Sequence, residues 1–281
     1  MSGQSRRKGR AMEKIQAGEI GKILPFPKAS DEPEESPEEC TYCAGAGWVR
    51  IVDDADLGSF PIQRCPVCAG AREHERSSRL AGALLGQLRR ELGGRLARCA
   101  FDNFDVDRAL SGPVNWHGKT SSPDQQRKTL ADACNHLQRY AADPQGGIYL
   151  AGPPGAGKSH MAAALAQSVA SAGRSVSYAS VPELLAFVRS GFGDSTADDR
   201  VRALAGVYLL VLDDLGAGKQ SDWANDVLFR IVNERWREER LLVVTSNLPL
   251  GEQEERIASR LGQMCQVINL RVGDYRKMRI G

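Results

Sequence analysis

The sequence has no long apolar run. No stretch approaches the ~18 consecutive apolar residues that a membrane-crossing helix needs, which argues against a helical membrane protein. An excess of one charge is missing too. Against 37 Lys and Arg stand 35 Asp and Glu, a net charge of +2, so any contact with nucleic acid has to come from a local patch. The start, Met1 to Arg10, is basic and polar and lacks the apolar core of a secretory signal. These absences lead to the expectation of a cytoplasmic protein with no membrane partner. In such a compartment seven cysteines point to metal ligands or free thiols rather than disulfides.

What remains is ordinary for a globular chain: 281 residues, 42% hydrophobic and 26% charged, enough for about two domains. Residues 1–39 read as a disordered tail. The basic cluster Ser5 to Arg10 and the acidic, proline-bearing Ser30 to Glu39 offer no apolar face whose burial would offset ordering entropy. Two similar pieces follow, Cys40-Thr41-Tyr42-Cys43-Ala44-Gly45 and Cys65-Pro66-Val67-Cys68-Ala69-Gly70. Each is a Cys-x-x-Cys with a glycine two residues on, so two sulfurs of each pair face one ion. Together Cys40, Cys43, Cys65 and Cys68 supply the tetrahedral thiolate set that Zn²⁺ takes in closed structural sites. With no open coordination position, such a site folds its module and does no catalysis. The insert reads as a small hairpin, Trp48 to Val52 and Ile62 to Arg64. Residues 40–70 are therefore expected to form a zinc-binding module and residues 71–98 a helix. Leu80, Leu84, Leu88 and Leu92 recur along that helix among several arginines. A linker helix and a partner-binding helix fit this stripe equally well.

The second domain, 99–281, is built round Gly152-Pro153-Pro154-Gly155-Ala156-Gly157-Lys158-Ser159. An apolar run, Gly147 to Ala151, precedes it as a strand, and His160 to Ala166 follows as a helix. Strand, glycine turn and helix make a G-x-x-x-x-G-K-S match a phosphate site. Its glycines let backbone N–H groups curl round an anion, and the helix start adds donors and a favourable dipole. Lys158 suits the β/γ-phosphates and the Ser159 hydroxyl suits Mg²⁺. Residues 111–126 read as a loop, followed by a helix from Arg127 to Ala142. Further on come a strand Ser175 to Ala179, helices Val181 to Val188 and Ser195 to Leu204, and an apolar strand Val207 to Asp214. That strand delivers Asp213 beside the phosphate loop for Mg²⁺, with Asp214 next to it to polarise water. A helix Asp222 to Glu238 leads to a strand Leu241 to Asn247. Asn247 at its tip suits either a γ-phosphate contact or a turn cap. Arg256 and Arg260 lie four apart, on one face of a helix. Alternating strands and helices imply an α/β fold, a mostly parallel sheet covered by helices on both faces.

As a set, Phe101-Asp102-Asn103-Phe104, Gly152 to His160, Leu209 to Gly216, Trp223-Ala224, Val232 to Arg235, Thr245 to Leu248, Arg256 to Leu261 and Asp274 to Arg276 resemble one family. It is that of the AAA+ ATPases that load bacterial replicative helicases, the DnaC/DnaI type, with their IstB-type relatives of transposition. The resemblance implies an AAA+ P-loop domain that binds and hydrolyses ATP with Mg²⁺. Gly152, Pro153, Pro154, Gly155, Ala156, Gly157, Lys158, Ser159, His160 and Asp213 would contact the nucleotide. Lys158, Asp214, Asn247 as sensor 1, and Arg260 as an arginine finger reaching a neighbouring subunit's ATP would be catalytic, with Arg256 the second choice for the finger. The Asp213-Asp214 pair resembles the group's own form of the acidic motif. Homo-oligomers joined through ATP, single-stranded DNA and a hexameric replicative helicase gripped by the N-terminal region are the implied partners. Phe187, Arg189, Phe192 and Lys219 are candidates for the DNA strand. The short stretch after Arg276 leads to the expectation that no large helical lid follows. A transposition ATPase and a non-hydrolysing ATP switch remain as alternatives.

Overall fold

The Val- and Leu-rich runs near the phosphate loop lack a polar face, so as strands they require cover on both sides. A computed structural model describes Cys40, Cys43 and residues 48–50, 62–107, 112–190, 197–216 and 221–278. The tail 1–39, residues 51–61 within the expected hairpin, Phe192 and Lys219 lie outside the described residues, as does the side chain of Cys68. The chain divides into two units, 1–79 and 80–281.

In the first unit β1 (Trp48–Arg50) pairs antiparallel with β2 (Ile62–Arg64), Trp48 opposite Arg64. Helix α1 (Pro66–Leu92) starts inside the second cysteine pair, earlier than residue 71, because a proline suits a first turn. It contributes to the first unit as far as Arg79 and to the second from Leu80. It stops at Leu92 because Gly93 and Gly94, at φ 59° and 36°, take the left-handed conformation that ends helices.

After α1 and two short 3-10 turns, the second unit forms a hairpin where the sequence predicts a loop, β3 (Val114–Trp116) and β4 (Lys119–Ser121). Its two-residue turn, His117 at φ 46° and Gly118 at φ 75°, has positive φ at both positions, as tight hairpins prefer. Helix α2 (Pro123–Ala142) starts before Arg127. The Ser122 hydroxyl accepts from the Gln125 amide, and the Gln125 side chain accepts from the Ser122 amide, a reciprocal cap.

Then come β5 (Gly147–Ala151), α3 (Lys158–Ser171), β6 (Val176–Ser180), α4 (Val181–Arg189) and α5 (Ala197–Gly206). They are followed by β7 (Leu209–Leu215), α6 (Asp222–Arg237), β8 (Leu241–Ser246), α7 (Glu255–Met264), β9 (Cys265–Asn269) and a short α8 (Tyr275–Met278). The five-stranded sheet runs β6-β7-β8-β5-β9, every pair parallel. Side chains alternate between two cores. Ile148, Leu150, Leu209, Val211 and Val243 join residues of α2 and α3. Tyr149, Leu210, Leu212, Leu242 and Val244 join residues of α4, α6 and α7 on the other side. This order sets the C-terminal ends of β7, β8 and β5 side by side, where open α/β sheets place their ligands.

Candidate nucleotide-binding site

The loop after β5 needs its glycines. Gly155 and Gly157 sit at φ 74° and 96°, which side-chain-bearing residues rarely adopt. A Cβ on Gly152 would lie 2.5 Å from the Leu270 carbonyl oxygen, and one on Gly155 would lie 1.7 Å from Asp274 Oδ1. The C-terminal segment is thus pressed against the loop, and the Tyr275 amide donates to the Gly155 carbonyl at 3.3 Å. α3 begins at Lys158, so its first, unpaired amides open onto the loop.

Lys158 is buried, and its Nζ donates to Gly152 O at 2.8 Å, Pro153 O at 2.9 Å and Asn247 Oδ1 at 2.8 Å. Burial lowers its pKa to about 8, a drop partly opposed by the charges of Asp214 and Asp213. Asn247 passes the connection on, its Nδ2 donating to Asp214 Oδ1 at 2.8 Å. A parallel chain lies beside it. Ser159 Oγ donates to Asp213 Oδ1 at 3.0 Å, Thr245 Oγ1 donates to the same oxygen, and the Asp214 amide donates to Thr245 Oγ1 at 2.9 Å. The structure therefore brings Lys158, Ser159, Asp213, Asp214 and Asn247 into one cluster. Between Leu212 and Leu215 the β7–β8 register shifts, and Asp214 has φ 63°. A bulge of this kind re-aims side chains at a strand end, and Asp is among the few residues that tolerate this φ.

Two members of the cluster escape a reading of the sequence. Thr245 was visible only as part of the Thr-Ser-Asn run. Tyr178 carries no motif at all, yet its buried hydroxyl makes no well-formed hydrogen bond. Burial first, then the neighbouring Asp213 carboxylate, raises its pKa above the ordinary phenol value. The glycine cradle, the buried lysine, the Ser–Asp pair and this orphaned hydroxyl suit a triphosphate with a hydrated divalent cation.

Other expected residues sit apart from the cluster. His160 Nε2 is 2.9 Å from the Ala100 carbonyl oxygen, and its ring meets Phe104 edge-on at 5.1 Å, tying the loop to segment 100–104. Arg260 Nε donates to Asn233 Oδ1 at 2.9 Å, and its guanidinium lies over Trp236 at 4.1 Å. Arg256 pairs with Asp226 at 2.9 Å and Glu254 at 3.1 Å. On α4 Phe187 is 49% exposed, and Arg189 stacks over Trp223 at 4.5 Å. In the first unit Cys40, Cys43 and Cys65 hold their sulfurs within 4.8 Å of one another, two of the three buried. No described cysteine is in a disulfide. Three such sulfurs, two of them buried, are a soft donor set suited to zinc.

The model of the family described as IstB-like ATP binding protein matches residues 114–277, more than half of the chain. An insertion-sequence ATP-binding protein of Sinorhizobium fredii is 34% identical over 117 residues, 42% of this chain and 47% of its own length. An ATP-binding protein in an insertion sequence of Mycobacterium tuberculosis is 28% identical over 63% of each chain. The replicative helicase loader DnaC of Escherichia coli is 24% identical over 58% of this chain and 61% of its own. The chain thus spans roughly half to two-thirds of the length of these relatives. The crystal structure of the DnaC helicase loader superposes with a TM-score of 0.52 at 17% identity, covering 63% of this chain and 99% of that one. This likeness shows a shared fold, a parallel sheet flanked by helices with the phosphate loop after an interior strand, β5. With its phosphate loop, acidic strand end and parallel sheet in place, the chain belongs to the family of IstB-like ATP-binding proteins.

Proposed function

We propose that this chain hydrolyses ATP with Mg²⁺ and uses the cycle to load a replicative DNA helicase onto single-stranded DNA. The observation that carries the ATP step is the hydrogen-bonded chain Lys158–Asn247–Asp214 at the mouth of the phosphate loop. When a triphosphate enters, Lys158 exchanges Asn247 for β/γ-phosphate oxygens. Asn247 is then free to orient a water, and Asp214 polarises it. Ser159 and Asp213 hold Mg²⁺, which when bound supplies positive charge against the phosphate oxygens. Arg260, steadied by Asn233 and Trp236, is the finger offered to a neighbouring subunit's ATP. Phe187 and Arg189 offer stacking and charge to a DNA strand.

The loader role draws on the DnaC relatives, together with a cysteine module ahead of the ATPase domain. The insertion-sequence relative at 34% identity favours a second reading, a DNA-targeting ATPase of transposition. The two separate by capture. A loader retains a hexameric helicase and loses it when residues 1–79 are removed, whereas a transposition ATPase retains a transposase instead. Single-stranded DNA is expected to stimulate phosphate release by the wild type. Arg260→Ala is expected to lower that release roughly 1,000-fold with ATP affinity nearly unchanged. Undiminished release in the variant would remove Arg260 from the reaction.

Cys40, Cys43, Cys65 and Cys68 are proposed to bind structural zinc. Elemental analysis of the purified chain is expected to find about one zinc per molecule. Cys65→Ser or a strong chelator should then remove the metal and unfold the first unit, read by hydrogen exchange, while ATP still binds. Metal-free protein with an equally protected first unit would refute the zinc assignment.

A further inference from the structure

Tyr178 lies on β6, whose register on β7 sets Tyr178 opposite Val211 and Ser180 opposite Asp213. Its ring belongs to the core shared with α3, and only 9% of the residue is exposed. A phenylalanine would fill that volume without burying a polar atom. Instead the chain buries a hydroxyl that makes no well-formed hydrogen bond, a costly arrangement that proteins rarely keep without a use. Tyr178 stands on the α3 face of the sheet two register positions before Asp213, close enough to feel the Asp213 carboxylate and the Ser159 hydroxyl, yet it makes a well-formed hydrogen bond with neither. Both hydroxyl donors already bound to Asp213, from Ser159 and Thr245, fall on Oδ1. Magnesium bound by one or two protein oxygens and phosphates keeps several of its waters, and these are strong donors that need acceptors.

We propose that the Tyr178 hydroxyl is an outer-sphere partner of the ATP-bound Mg²⁺, bonded to a water that the ion carries beside Ser159 and Asp213. This inference rests on the ATP–Mg²⁺ reading above. It gives the buried hydroxyl its missing partner only in the loaded state. It therefore sets a tyrosine apart from a phenylalanine in binding the metal, not in building the core.

The test is Tyr178→Phe in the full chain, with ATP binding measured by calorimetry in excess EDTA and across a Mg²⁺ titration, and thermal unfolding measured without ligand. ATP affinity in EDTA is expected to match the wild type. The Mg²⁺ concentration that half-saturates the ATP complex is expected to rise roughly tenfold, the worth of one hydrogen bond to a charged group. The unliganded variant should melt at the wild-type temperature or above it, because an unpaired hydroxyl has been removed. A Mg²⁺ dependence identical to the wild type would overturn the proposal. So would a variant that melts clearly lower or does not fold, since the hydroxyl would then be serving the unliganded fold. Failure of the wild type to bind ATP at all would be a separate result, removing the ATP–Mg²⁺ reading itself.

Discussion

Lys158→Ala is expected to lower Mg²⁺-dependent ATP turnover at least roughly 100-fold and to weaken ATP binding while the fold stays intact. Lys158 is 7% exposed, and its ammonium is surrounded by the two loop carbonyls and Asn247. Alanine removes the point charge aimed at the phosphates and leaves Asn247 without its donor. Burial holds the lysine pKa at about 8, below the ordinary 10.5. Its lowered pKa means that the charged form contributes less to folding than an exposed lysine would, while its bonds to two loop carbonyls act the other way, so thermal stability should change little. The sign for binding is opposite. The charged form attracts the triphosphate, predominates below pH about 8 and is lost above it. Wild-type affinity should therefore fall as pH rises through that value. Binding above it should take up a proton, because the bound phosphates restore the lysine's hold on its own. Calorimetry in buffers of different ionisation enthalpy reads that uptake, and Lys158→Ala should show none. Proton uptake persisting in the variant would mean that another group senses the phosphate.

Arg235→Met is expected to cost roughly 3–5 kcal/mol of stability. Arg235 is fully buried. Its guanidinium donates to Leu204 O at 3.3 Å, Ala205 O at 2.9 Å, Val207 O at 3.0 Å, Tyr208 O at 3.2 Å and, through Nε, Leu241 O at 3.1 Å. These carbonyls close α5, enter β7 and start β8. A helix C-terminus leaves its last carbonyls unpaired and carries partial negative charge, so one planar cation caps α5 and ties it to two central strands. Burial lowers the pKa to about 10, which still leaves the group charged at neutral pH. Methionine keeps much of the length and none of the donors, stranding these buried carbonyls at ~1–3 kcal/mol each before relaxation. Arg235→Lys should recover only part, since a point donor cannot span them. Urea unfolding monitored by circular dichroism measures both variants. A loss below about 1 kcal/mol for Arg235→Met would contradict this account of its bonds.

The phosphate loop, the Asp213-Asp214 strand end and Asn247 were legible in the sequence because their chemistry dictates residue type and spacing. The central strands were legible because runs such as Leu209-Leu210-Val211-Leu212 have no polar face. Other features depend on partners distant in the chain. β9 pairs with β5 at the sheet edge, where Gln266 and Val267 are exposed, so its pattern is neither a buried run nor an alternation. The β3–β4 hairpin turns on His117-Gly118, a pair weaker in turn chemistry than Asn-Gly. The leucine stripe of α1 was equally ambiguous, and it divides: Leu88 and Leu92 are buried whereas Leu80 is 54% exposed. Thr245 and Tyr178 join the site only because parallel pairing brings the ends of β6, β7 and β8 together. Arg235 reads as a surface charge until its carbonyls are in place.

The most direct measurement is a calorimetric titration of ATP into the full chain near neutral pH, with and without Mg²⁺. The account predicts saturable, stoichiometric binding that Mg²⁺ strengthens, and that both Lys158→Ala and Asp213→Ala weaken. Folded wild-type protein that takes up no ATP with Mg²⁺ present, and whose melting temperature does not move, would contradict it.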